Sequence, residues 1–271
     1  MPQNDKSVQF LYGTKFGRAI LSVALAVKVP ALLGVFLRSP FSKFYIKKFV
    51  KKNNIDITPW KDVKFRSFND FFTRKKVISF HSEPSSLISP ADSFLSVYPI
   101  KEDSTFFIKG SDYTISDFLQ NTELEQKFAE GVCLVFRLCA SDYHRYCYID
   151  NCHVEENHFI PGKLYSVQPL PCEKYRVYTK NRRSWNILNT ENFGTVAQIE
   201  VGAFSVGGIK NHHENCDVKK GDEKGYFDLH GSTIVLLFEK NKIKLLPEVL
   251  ENTAGGKEFK VNIGCSIGTK Y

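Results

Sequence analysis

Three residues of complementary chemistry stand at the ends of apolar runs in this chain: Asp92, His144 and Ser232. Ser232 follows Gly231 and opens an apolar, β-branched run over 233–238. Such a run reads as a buried strand, and the glycine before it accepts backbone angles that other residues resist. A serine hydroxyl is a weak nucleophile until a neighbouring base takes its proton. Asp92 lies in the Pro-punctuated turn Ser89-Pro90-Ala91-Asp92-Ser93. His144 lies in Asp142-Tyr143-His144-Arg145-Tyr146, just after the apolar run 132–138. Together they are the parts of an activated-serine centre: the carboxylate orients the imidazole, and the imidazole deprotonates the hydroxyl. Gly-Ser is also a common loop pair, so these residues define an available chemistry and not yet a reaction.

To meet, these groups need a sheet. Strands are expected over 94–100, 105–109, 132–138, 146–150, 153–160, 195–202, 204–210, 226–229 and 233–239. Helical signals recur only in 113–128, with turns of helix at 116–119 and 123–128, and Gly and Pro punctuate the rest. Ser67 is the expected N-cap of a short helix, with Asp70 three residues on near the positive helix end. The fold class expected is α+β. Residues 1–60 form a helical, membrane-associating N-terminal segment, and residues 61–271 form a β-rich catalytic core.

The N-terminal part holds the most apolar stretch, residues 19–37, interrupted by Lys28 and Pro30. A spanning helix needs about 20 residues with few or no charges, and the run resumes after Pro30 where a secretory signal would end. Two short helices lying at a membrane interface are favoured, with one spanning helix as the alternative. Leu37, Phe41, Tyr45 and Phe49 are four apart and would share one helix face. Arg38, Lys43, Lys47, Lys48, Lys51 and Lys52 surround that stripe. Apolar residues beside cations suit an anionic bilayer surface; the same stripe could also pack on the core.

The 42% hydrophobic and 24% charged fractions are ordinary for a folded domain. A net charge of +8 favours anionic partners, although a lysine-rich composition explains it equally well. No nucleic-acid-binding module is evident. Seven cysteines form no C-x-x-C pair, and their odd number argues for reduced thiols. His212-His213-Glu214 with Cys216 reads as a polar loop, and no metal is expected.

The motifs taken together resemble those of phosphatidylserine decarboxylase proenzymes. They are Ser67-Phe68-Asn69-Asp70-Phe71-Phe72-Thr73-Arg74, Ser89-Pro90-Ala91-Asp92, Asp142-Tyr143-His144-Arg145 and Ile160-Pro161-Gly162. They continue through Glu191-Asn192-Phe193-Gly194, Val201-Gly202-Ala203 with Val206-Gly207, residues 221–227, and Gly231-Ser232-Thr233. Their shared order and spacing carry the resemblance. Two positions depart from the family pattern. His230 stands where leucine or glycine is usual, and Cys147 stands where many members carry a second histidine, a candidate base for self-cleavage. An unperturbed thiol titrates near pKa ~8.5 and is a poor substitute; with the second histidine absent, the role is placed on His144, and another group as the base for self-cleavage stays open.

The resemblance implies a zymogen that cuts itself between Gly231 and Ser232. The products would be a β chain, 1–231, and an α chain, 232–271, that remain associated. Ser232 would become a covalent pyruvoyl cofactor. Phosphatidylserine would bind it as a Schiff base and lose carbon dioxide to give phosphatidylethanolamine, with His144 as proton donor and Asp92 orienting it. The implied location is peripheral, on the cytoplasmic face of an anionic cell membrane. The oligomeric state stays open, a homodimer included. Two rivals follow from the same residues: a serine hydrolase using Asp92, His144 and Ser232, and a non-processing membrane-binding relative. Ser232 lacks the Gly-x-Ser-x-Gly elbow, which weighs against the first.

Overall fold

The computed structural model describes residues 6–27, 29–203, 208–229 and 232–271. Helices dominate the N-terminal part: α1 (Lys6–Gly13), α2 (Lys15–Ala26), α3 (Val29–Arg38), α4 (Phe44–Asn53) and α5 (Phe68–Phe72). The long apolar run is therefore two short helices, α2 and α3. Among the described residues no helix is long and apolar enough to cross a membrane. Thr14 caps α2 by accepting from Gly17 N, and Ser67 caps α5 by accepting from Asp70 N at 3.1 Å.

The expected single stripe of Leu37, Phe41, Tyr45 and Phe49 does not form. Pro40 opens a 3-10 turn, Pro40–Lys43, that separates α3 from α4, because proline cannot continue an α-helix. Leu37 is buried and Phe49 packs on the same cluster, whereas Phe41 is 80% exposed.

Seventeen strands follow among the described residues. The first five are β1 (Ser86–Ile88), β2 (Ser93–Pro99), β3 (Thr105–Ile108), β4 (Ser111–Thr114) and β5 (Val132–Leu138). Next come β6 (Arg145–Cys147), β7 (Cys152–Val154), β8 (His158–Ile160), β9 (Arg183–Thr190) and β10 (Thr195–Val201). Then come β11 (Gly208–Asn211), β12 (Cys216–Val218), β13 (Glu223–Asp228) and β14 (Ser232–Phe238). The last are β15 (Ile243–Leu245), β16 (Phe259–Val261) and β17 (Ser266–Lys270). Short helices α6 (Ile115–Leu119), α7 (Glu125–Phe128), α8 (Pro169–Lys174), α9 (Val177–Lys180) and α10 (Pro247–Ala254) complete an α+β fold.

The main sheet runs β12-β7-β9-β10-β14-β5-β2-β16, antiparallel throughout, with β8 added on β9. One face packs against a three-stranded sheet, β11-β13-β6, and a second, β1-β17-β15; Ile234, Leu236 and Phe238 of β14 point into this core. The other face is covered by β3-β4 and α6 to α9, and takes Val235 and Leu237. Period-two alternation with both faces covered makes a central strand apolar at every position. Burial of each large side chain there stabilises by about 1.5–3 kcal/mol. The expected strand 153–160 is two strands, β7 and β8, and the part of 204–210 at 204–207 lies outside the described residues.

Strand β9 was not expected. Its Ser184 and Asn186 are polar yet buried, facing a polar seam between the two sheets. In that seam Lys224 Nζ donates to Glu200 Oε1 at 2.8 Å with both side chains fully buried, and Asn211 donates to Glu200 Oε2. Burial lowers the Lys224 pKa, with Glu200 opposing the shift.

Candidate active site

Ser232 is the first residue of β14, and the register opposes it to Leu138, the last residue of β5. On the far side of β5, Phe94 opposes Arg137, so β2 begins at the same end of the sheet. Strands are about 4.8 Å apart. Asp92, one residue before β2, therefore sits about 10 Å from the Ser232 position across β5. His144 closes the loop that leaves β5, and its carbonyl accepts from Phe227 N at 2.9 Å, tying it to β13, which ends four residues before Ser232. The register thus places the main chain of all three residues near one end of the sheet. Gly231 lies outside the described residues.

The Ser232 side chain is fully buried, and its Oγ has no hydrogen-bond partner among the described residues. A buried hydroxyl normally finds one.

His144 is fully buried, with the Phe72 ring against it at 4.0 Å between centroids. Its Nδ1 is 2.8 Å from the Asp142 carbonyl. A carbonyl only accepts, so Nδ1 carries a proton, and in the neutral form of the ring Nε2 would hold the lone pair. Asp142 is fixed in turn: Oδ2 accepts from Cys139 N at 2.7 Å, and Oδ1 meets Lys260 Nζ at 2.7 Å. Burial raises the Asp142 carboxyl pKa, while Lys260 works against that shift.

Asp92 takes a different place from the one the residue types implied. Its Oδ1 accepts from Ile263 N at 2.7 Å and its Oδ2 meets Lys76 Nζ at 3.3 Å. Among the described residues, its bonds do not run to His144. The ring is oriented instead by the main chain two residues upstream, which leaves Asp92 as a negative charge at the sheet end. Cys147 is fully buried, and burial pushes its thiol up to about 12. A thiol so disfavoured as thiolate does not supply the missing second base.

The last described residue before Ser232 is Leu229. Leu229 is buried at φ +58°, a conformation that costs a branched residue on the order of 1–3 kcal/mol. It packs with Phe68, Phe71 and Phe72 of α5 and with Leu37 of α3. Phe72 and the Asp142 carbonyl carry no sequence signal of their own beyond lying inside the two motifs that flank them. His212 and His213 turn to different partners, Glu223 Oε1 at 3.0 Å and the Tyr148 hydroxyl at 3.4 Å.

A buried serine at a strand mouth, a buried histidine and a residue at positive φ, Leu229, lie near one end of an antiparallel sheet. The comparisons with known proteins identify the lineage of the chain. The family model of phosphatidylserine decarboxylase matches residues 68–269. A phosphatidylserine decarboxylase proenzyme 2 of Clostridium acetobutylicum is 43% identical, over 96% of this chain and 91% of that protein. Phosphatidylserine decarboxylase proenzymes of Clostridium tetani and Clostridium kluyveri are 38% and 37% identical, each over 98% of this chain and 93% of the relative. The chain belongs to the phosphatidylserine decarboxylase family, a family of carboxy-lyases.

Proposed function

We propose that this chain is a self-cleaving precursor of a pyruvoyl enzyme that converts phosphatidylserine to phosphatidylethanolamine at an anionic membrane. The observation that carries the reading is the buried, unpartnered Ser232 Oγ at the mouth of β14. In the first step His144 Nε2 takes the hydroxyl proton. Ser232 Oγ bonds to the Gly231 carbonyl carbon, the Gly231–Ser232 C–N bond breaks, and the freed amine takes a proton. Loss of the Ser232 α-proton then breaks the Cβ–O bond, leaving a Gly231 carboxylate and a dehydroalanine at 232. Tautomerisation and hydrolysis release ammonia and leave the ketone.

The residues present fit a pyruvoyl group at position 232. The small side chain is enclosed, and its atoms make no bond that the conversion would forfeit among the described residues. When formed, the group supplies an electrophilic ketone that draws electrons as carbon dioxide leaves the substrate. The chain's own contribution is His144, fixed by the Asp142 carbonyl and Phe72 to hold and return a proton at Nε2. Asp92 and Lys76 set the local charge at the sheet end. After the cut, the β chain (1–231) and the α chain (232–271) stay together, because β14 is hydrogen-bonded in register to β5 and β10 along its length.

Residues 1–60 form the membrane-associating segment and 61–271 the catalytic core. Phe16, Val23, Leu32, Val35 and Phe44 are exposed on α2 to α4. Between Lys6 and Lys52 the chain has ten cations and no acid. Apolar side chains amid cations hold the enzyme peripherally on an anionic leaflet, the cytoplasmic face of the cell membrane. The test is release of carbon dioxide from phosphatidylserine in mixed micelles. The wild-type protein releases it and Ser232→Ala does not; equal release from both would end the proposal.

A further inference from the structure

Arg38 is the last residue of α3, and its Nη2 donates to Asp228 Oδ2 at 2.5 Å. The Asp228 side chain is nine-tenths buried, and its Oδ1 has no partner among the described residues. Gly208 opposes Asp228 in register, and a Cβ there would come within 2.7 Å of Asp228 Cβ. Asp228 is therefore a close-packed carboxylate, and Arg38 is the cation paired with it. It also ends β13, one residue before strained Leu229 and four before Ser232. Leu37, beside Arg38, sits in the same apolar cluster as Leu229.

We propose that Arg38 is a positioning residue for self-cleavage: through its ion pair it fixes Asp228 and Leu229, which precede the Gly231–Ser232 bond, as β14 fixes the residues that follow it. The inference rests on the cleavage at Gly231–Ser232 proposed above. Acyl transfer within one peptide unit needs the hydroxyl held against a carbonyl on a chain that would otherwise relax. A strained φ persists only where the surroundings over-determine it, and a misplacement of about 1 Å can cost on the order of 10²-fold in rate. Without Arg38 a buried carboxylate stands uncompensated, and swinging Asp228 towards water would drag Leu229 out of place. The helix that ends in Arg38 also exposes Leu32 and Val35.

The test follows self-cleavage of the freshly synthesised full chain in detergent micelles, by gel time course, where vesicle affinity plays no part. Each variant's melting temperature is measured on a Ser232→Ala background. Arg38→Gln should cut about tenfold more slowly or worse; it should melt below the parent, because the Asp228 carboxylate is left uncompensated, yet stay folded at the assay temperature. Arg38→Lys should recover most of the rate, and exchanging the charges, R38D with D228R, should cut faster than R38D alone. Equal rates in wild type and Arg38→Gln would overturn the inference. So would an Arg38→Lys chain as slow as Arg38→Gln, or a fall in melting temperature large enough to account for the slowing. A wild-type chain that stays intact would instead condemn the cleavage reading itself, so the two failures are distinct.

Discussion

Strand β14 and helices α2 to α4 are both rich in apolar residues, yet their side chains meet opposite surroundings. All seven residues of β14 are buried, divided between two cores and flanked on both edges by paired strands. In α2 to α4, Leu32 is 68% and Val35 67% exposed. The charges divide the same way. Residues 6–52 carry ten cations and no acid, so the remainder of the chain is net −2 within a total of +8. In the core, cations such as Arg137 and Lys224 are matched by Glu258 and Glu200. One region is covered within the chain, and the other leaves apolar side chains exposed amid cations that no acid of the same segment offsets. The hydrophobic effect acts alike on both; what differs is whether the chain itself supplies the covering surface.

The comparison breaks most sharply at Ser232. Ser232→Ala should abolish both chain cleavage and carbon dioxide release while leaving β14 in place, since one buried oxygen without a described partner is all that is lost. His144→Ala should slow both by roughly 10²–10⁴-fold, the usual worth of a positioned general base. Asp92→Asn should cost less than His144→Ala, because the ring is held by the Asp142 carbonyl and not by Asp92. Rate constants for cleavage and turnover, measured side by side, check the order. A larger loss at Asp92 than at His144 would mean that its charge, and not the ring's orientation, governs the step.

Glu258→Gln tests the self-contained side. Arg137 is 3% exposed and Glu258 Oε2 meets its Nη2 at 2.5 Å. Leaving Arg137 uncompensated should destabilise by about 3–5 kcal/mol, read from chemical denaturation. Burial alone would raise the Glu258 pKa, but hydrogen bonds and charge from Arg137 and Lys109 outweigh it and hold it low. A depressed carboxyl stabilises the fold above its ordinary pKa and loses that contribution as pH falls through the folded value. The gap between wild type and Glu258→Gln should therefore narrow in acid. The smallest effect belongs to the surface segment. Leu32→Ser should weaken binding to anionic vesicles by about 1.5–3 kcal/mol, a loss that salt does not screen. Raising salt on the wild type should weaken binding without abolishing it.

What the sequence disclosed follows the same division. Strands with both faces covered by apolar side chains were legible almost to the residue: 132–138 coincides with β5, and 233–239 with β14 shifted by one. Strand β9 was missed although Ser184 and Asn186 alternate with Trp185 and Ile187 at the period of a strand; their burial was not legible, because they face the Lys224–Glu200 seam and not water. The four-residue spacing of Leu37, Phe41, Tyr45 and Phe49 ignored what Pro40 does to a helix. At the candidate site, the residues proposed to react stood out by type and strand-end position. Those that hold them did not. Phe72, the Asp142 carbonyl and the Arg38–Asp228 pair act through packing, a main-chain atom and a contact between distant segments, none of which periodicity reports.

The central claim is that Ser232 turns from side chain into prosthetic group by cutting the chain before it. Intact mass spectrometry of the purified protein measures this directly. The account predicts two chains, 1–231 and 232–271, in equal amount and in one complex, the smaller lacking a free amine at its first residue and lighter than the serine-started peptide by the loss of ammonia. A single chain of 31.0 kDa that nevertheless releases carbon dioxide from phosphatidylserine would contradict it.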